Sequence, residues 1–218
     1  GLPTDVNFKV SDLKAFYNVD AADSSRVDWK ALAQQADNVF LLDNTALANL
    51  DAATEFSVAG AMLASLDNYA YLSGSMALER RDLRARTAGN DDDLAMSALT
   101  FGAKNVRAFV GTGEVDKDDN DVVDADAELK TNNAMGLSVT IDEMALALVK
   151  PQSLSSGLSS AESYFALDAS GTAALIGVEE VTLEGDVNIQ INQGRIAASG
   201  SQAAVAPAIN FKASAAAN

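Results

Sequence analysis

The chain has 218 residues, 48% of them apolar, and a formal net charge of −16 from 15 basic and 31 acidic side chains. That balance argues against nucleic acid and against an anionic membrane surface, both of which need a basic patch. The lack of Cys and His removes disulfides, thiolate metal sites and every Ser-His-Asp or Cys-His mechanism. No stretch approaches the roughly 20 apolar residues of a membrane span, and no signal-peptide pattern opens the sequence. An export signal, if the parent protein is secreted, is expected outside this chain.

In chain order, Phe8–Tyr17 reads as the first strand. Val27–Ala36 places Trp29, Leu32, Ala33 and Ala36 at helical spacing, with Ser24 or Ser25 as cap. Tyr69–Arg80 alternates loosely, with Leu72, Met76 and Leu78 on one side. Arg80–Arg86 is the only basic cluster; it reads as a charged strand end balanced by acids rather than an anion site. Asn90–Asp93 reads as a turn. Phe101–Val110 is a strand.

Gly136–Val149 is a strand whose apolar phase flips. Leu137, Val139 and Ile141 lie on one phase and Met144, Leu146 and Leu148 on the other, so an extra residue near Asp142-Glu143 is expected as a bulge or corner. Lys150-Pro151 ends it. Residues 152–162 read as a Ser-rich loop. Val181, Leu183, Val187, Ile189 and Ile191 alternate strictly with polar neighbours, predicting a strand that buries them and exposes the even-numbered positions. Segment 197–208 reads as a linker or a small-residue strand. The aromatics Phe16, Tyr17, Phe109, Tyr164 and Phe165 read as core rather than a sugar platform.

Self-similarity runs through the chain. An offset of 93 sets Phe8–Tyr17 on Phe101–Val110. An offset of 111 sets Gly60 on Gly171 and Leu72–Leu78 on Leu183–Ile189. An offset of 99 sets Leu42-Asp43 on Ile141-Asp142. Ile209–Ser214 echoes Val6–Ser11. The expectation is two β units, residues 1–97 and 98–205, with 206–218 beginning a third or serving as linker. The expected fold is all-β, an elongated two-sheet or solenoid-like stack of the two units, with a compact β-sandwich as the alternative.

Between strands 101–110 and 136–149 lies Glu114–Glu128, with eight acids and one base, a net −7. Carboxylates at that density repel one another unless a cation neutralises them. Asp116, Asp118 and Asn120 occupy positions 1, 3 and 5 of a D-x-D-x-N ladder. The Val122 carbonyl falls at position 7 and Asp124 at position 9, a spacing that points to calcium. Position 6 is Asp121 rather than Gly, and Glu128 comes one place after position 12. Asp20, Asp23 and Asp28 lack the alternate spacing.

Tyr71–Glu79, Val106–Gly113 with the acidic loop after it, Gly136–Val139, Met144–Pro151, Tyr164–Gly171 and Val181–Val187 resemble the tandem repeats of giant bacterial surface proteins, the hemolysin-type or RTX-like calcium-binding adhesins. The resemblance covers roughly residues 55–214. It implies an extracellular or cell-surface location, calcium as ligand, neighbouring repeats of the same parent chain as partners, and a non-enzymatic extender or adhesive role. The Gly-rich nonapeptide of true RTX rolls is absent. Two alternatives differ in class: a carbohydrate- or surface-binding module, and a calcium-dependent polysaccharide lyase.

Overall fold

The computed structural model describes residues 6–35, 47, 50–67, 69–88, 92–152, 162–178, 181–195 and 205–215. It is one antiparallel sheet with its strands in sequence order. Seven strands are long: β1 Val6–Tyr17, β2 Thr54–Leu66, β3 Ala70–Ala85, β4 Leu94–Thr112, β5 Met135–Pro151, β6 Ser163–Ile176 and β7 Glu184–Arg195. An eighth, β8 Val205–Ala206, adds two residues to the far edge, opposite Gly194 and Arg195. Among the described residues β1 pairs only with β2, so the sheet is open.

The all-β expectation therefore holds, whereas the two-sheet or solenoid-like stack does not, nor does the two-layered sandwich. Each strand hydrogen-bonds to the strand that follows it in the chain, which gives a meander, and among the described residues there is no second layer of strands. Position 97/98, the expected boundary between units, lies inside β4. The segments matched by offset also stand differently in the sheet. β1 and β3 run parallel, two strands apart, whereas β4 and β7 run antiparallel, three apart. The offset-99 match falls mostly on residues outside those described, as do most of 152–162 and 197–208 and part of Asn90–Asp93.

Extra residues set the geometry of the sheet. In β1 the register steps from Ser11 opposite Ala61 to Lys14 opposite Ala59, so Asp12-Leu13 carries one residue too many. In β4 Asn105 is the extra residue against β3, and in β5 Asp142 is extra against β6. Asp12 and Asn105 take left-handed φ values of 53° and 51°. The bulge expected at Asp142-Glu143 is thus present, and it belongs to a line of bulges beside the row Ser11, Ala61, Ser75, Lys104, Glu143 and Ser170. Gly74 lies on this line with φ 152°, and a Cβ there would come within 2.7 Å of Val106 Cα. An extra residue inverts side-chain parity. The inversion at Asp142 returns Leu137, Val139 and Ile141 to the same face as Met144, Leu146 and Leu148, which resolves the phase flip in the sequence.

The two faces differ. One, the capped face, carries both buried clusters. At one end Ala85, Leu94, Met96, Ala98, Val149 and Tyr164 pack against Ile209, which leads into helix α3, Phe211–Ser214. At the other end Phe109, Ala174 and Ile176 pack beneath Val115, Val123, Leu129 and Ala134 of the β4–β5 connection. Between the caps runs a row of small and polar residues: Ala59, Ala77, Gly102, Ala145, Asp168 and Gln190. The opposite, open face presents the row Val58, Leu78, Phe101, Leu146, Leu167 and Ile191.

This asymmetry corrects the burial expected for β7. The strand forms, but Val181, Leu183, Val187 and Ile189 are 43–61% exposed, and Ile191 is half-buried. Val187, Ile189 and Ile191 lie within β7, where alternation puts them on the open face; Val181 and Leu183 precede the strand. Helix α1, Trp29–Ala33, is shorter than expected, and its cap is Asp28, whose side chain accepts from the Ala31 amide at 2.7 Å, rather than Ser24 or Ser25.

Candidate metal centre

The acidic connection is a folded cap. Two backbone groups of Val123 tie it to the sheet: its N–H donates to Ser73 Oγ at 2.8 Å and its carbonyl accepts from Arg107 at 2.9 Å. Lys9 reaches across from β1 to Asp121 Oδ1 at 2.6 Å, and Asp121 raises the ammonium above its usual range. The Ser138 hydroxyl donates to Asp126 Oδ1 at 2.6 Å. Helix α2, Asp126–Thr131, closes the segment and turns Leu129 fully inward. The sequence reading missed this helix beneath the run of acids. Its signals were acids in the first turn, Lys130 in the last, and Glu128 placed to accept from the Ala125 amide at 3.1 Å.

Within the cap the carboxylates converge. Asp116, Asp118 and Asp124 each offer an oxygen, all within 4.8 Å of one another; Asp116, Asp119 and Asp121 form a second such group. Three of the expected ligands are therefore brought together, and Asp119 and Asp121 join them unforeseen. Asn120 donates to Asp118 Oδ2 at 2.8 Å and accepts from the Val122 amide at 2.8 Å. Val122 is exposed beside them. Asp124 is buried; its carboxylate takes the Lys117 amide at 3.2 Å and the Asn132 side chain at 2.8 Å.

Asp116 is the hub. Its two oxygens accept from the amides of Asn120 and Asp121, each at 3.0 Å. Burial nevertheless pushes its carboxyl above the usual carboxylate range, with the charges of Asp118 and Asp119 adding to the rise and the two amides opposing it. Asp121, at the position where a calcium loop of this spacing carries Gly, has φ 63°, the left-handed conformation glycine adopts there. The aspartate cluster can in principle hold a metal ion, with hard oxygen donors throughout.

The other sequence candidates resolve as follows. Arg80 pairs with Glu55 at 3.0 Å, Arg81 with Asp51 at 3.1 Å and with Glu79 at 3.2 Å, and Arg86 with Asp93 at 2.6 Å, so these members of the basic cluster are matched by acids. At Asp51, burial works against ionisation, but the Thr54 hydroxyl and Arg81 prevail and lower its carboxyl. Arg26, nearly buried, sits among Asp20, Glu55 and Asp82. Of the aromatics, Phe109 and Tyr164 are core, Phe16 and Phe165 are half-buried, and Tyr17 is exposed. Among the described residues no helix is long and apolar enough to cross a membrane.

No family model matches the chain, and neither the curated proteins nor the solved structures contain a match.

Proposed function

We propose that this chain is a non-enzymatic structural module of a larger extracellular or cell-surface protein, and that its acidic cap takes up calcium. One observation carries the reading: the densest charge in the chain is folded onto the sheet as a cap, with Asp116, Asp118 and Asp124 converging within 4.8 Å. Acids serving only solubility gain nothing from convergence, and the repulsion it brings is relieved when a cation binds. Calcium suits the site because it accepts many oxygen ligands in flexible geometry, whereas magnesium demands a near-ideal octahedron. The ligands would be carboxylates of Asp116, Asp118 and Asp124, with Asn120 and the Val122 carbonyl completing the ladder.

The resemblance to repeats of giant adhesins supports the same role, with neighbouring repeats of the parent chain as partners. The arginines already matched to acids support a scaffold over a lyase. A glycan-binding module is the second reading; the trough between the caps favours it, because Glu79, Asp168, Gln190 and Asn192 line it beside Phe211. Glycan-array binding with loss on Asn192→Ala would select it.

The test of the leading reading is thermal. A ligand that binds only the folded state adds about 2.7 kcal/mol at a hundredfold excess over Kd. Millimolar calcium should raise Tm by several degrees, and Asp118→Ala should abolish most of that rise, whereas Asp23→Ala should leave it intact. An unchanged Tm in saturating calcium would refute the cation role.

A further inference from the structure

The open face is the largest feature that the acidic cap does not explain. Val58, Leu78, Val110, Leu137, Leu148 and Val187 are all exposed there, on strands whose opposite face is capped at both ends. Large apolar side chains gathered on one face mark an interaction surface when the patch exceeds about 300–600 Å². Seven strands roughly 4.8 Å apart, each with about 12 residues at ~3.3 Å, give a footprint on the order of 1,200 Å². A stable interface needs about 800 Å² from each partner.

We propose that the open face is an isologous interface between two copies of this chain, packed sheet on sheet. Three observations select a second copy as the occupant. The area suffices on both sides, since a two-fold contact uses the same patch twice. Charge is placed to permit it: the −7 acidic connection lies wholly on the capped face, as its bonds to Ser73, Arg107 and Ser138 show. The open-face ions Arg80, Asp82 and Lys150 sit together at one end, where Arg80 pairs with Glu55 and Asp82 with Arg26. The apolar remainder of two open faces can therefore approach despite a net charge of −16 on each chain. The relief is also self-complementary. The bulky row Val58, Leu78, Phe101, Leu146, Leu167 and Ile191 stands beside a row in which Gly60, Ala103 and Ala169 alternate with Met76, Met144 and Ile189, so hollows open on β2, β4 and β6 between knobs on β3, β5 and β7. A two-fold axis near β4 can set knobs of one copy against hollows of the other, about 10 Å between sheets. A lipid bilayer is the poorer occupant. The sheet has open edges, and unpaired backbone groups of an edge strand find no partner in hydrocarbon.

The inference rests on the reading of the sheet as a scaffold, and its test separates the two. Sedimentation equilibrium of the whole chain should give twice the chain mass at micromolar concentration. The double variant Val58→Glu/Leu78→Glu should run as a monomer with unchanged far-ultraviolet circular dichroism and should keep its calcium-induced rise in Tm. The chain has no cysteine, so single-cysteine variants report directly. Leu146→Cys on the open face should be linked into a dimer by a bismaleimide long enough to span the two sheets, since one strand from the axis is too far for a direct disulfide, and Ala145→Cys, the next residue on the other face, should remain largely unlinked. A wild-type monomer throughout the concentration range would overturn the proposal. So would a dimer that survives Val58→Glu/Leu78→Glu, equal cross-linking at 145 and 146, or flotation of the monomer with neutral phosphatidylcholine vesicles. If the double variant does not fold, the cysteine pair still decides.

Discussion

Phe109 and Phe8 offer a controlled comparison, because they are the same residue type on strands of one sheet with opposite surroundings. Phe109 has no exposed surface and lies beneath Val115, Val123 and Leu129 of the acidic cap. Phe8 is 61% exposed on β1. Truncating a buried Phe to Ala costs about 3–5 kcal/mol, from lost transfer energy and the cavity left behind. In a chain of this size each kcal/mol lowers Tm by roughly 2–4 °C. Phe109→Ala should therefore melt about 10 °C below wild type, whereas Phe8→Ala, compared in the monomeric Val58→Glu/Leu78→Glu background, should stay within about 0.5 kcal/mol, as surface changes do. The assay is circular dichroism melting, joined to limited trypsin digestion read at Lys117 in the cap. Phe109→Ala should accelerate that cut before global unfolding, because Phe109 is the floor on which the cap rests. Equal melting temperatures for the two variants, or an unchanged cut at Lys117, would refute the assignment of the core to the capped face.

Two further predictions concern single groups. Burial, then the hydrogen bond from the Tyr164 hydroxyl to Glu162 at 2.9 Å and the charge of that carboxylate, hold the phenol above its usual range. The folded value lies above the unfolded one, so the stabilisation is fully present below about pH 10 and is lost as pH rises through the folded value. A difference absorbance titration of wild type against Tyr164→Phe should show the missing phenol ionising well above pH 10, in step with alkaline unfolding; ionisation near pH 10 in the native protein would count against the buried pair. Deleting Val139, a paired residue outside the bulge, should invert the parity of β5 before it, turn Ser138 away from Asp126, and release the cap to trypsin at Lys117, whereas Asp142→Ala should leave digestion and Tm nearly unchanged.

The sequence carried the strands well because alternation is a property of the backbone. β5 shows how far this reached. The break in phase between Ile141 and Met144 located an extra residue, and the register places it at Asp142. The ladder of aspartates likewise located the carboxylate cluster, because local spacing in a tight loop survives folding. What alternation does not encode is coverage. Val187 and Ile189 share a face with Phe101 and Leu146, but nothing in a period of two says whether another layer lies on that face. A stack follows from two repeated units only where each unit covers the apolar face of the other. The similarity of Phe8–Tyr17 to Phe101–Val110 misled for a related reason. Both are long strands with a bulge, at Asp12 and Asn105, and resemblance of that kind does not require equivalent positions in a sheet. Helix α2 was hidden because six residues are too short for helical periodicity to outweigh the acid-rich composition around them.

The extra residue at Asp12 bears on how an edge strand resists pairing with further chains. β1 is an outermost strand of 12 residues, and a long, flat edge is a template on which further chains add without limit. Here the edge is interrupted at its middle by a residue with φ 53° and carries Lys9 and Lys14 on either side of the break. A straight run of backbone donors and acceptors is thereby cut into two short pieces, each guarded by a cation. Runaway fibre growth along the edge is disfavoured, and straightening β1 by deleting Asp12 would convert a discrete particle into one prone to endless sheet extension.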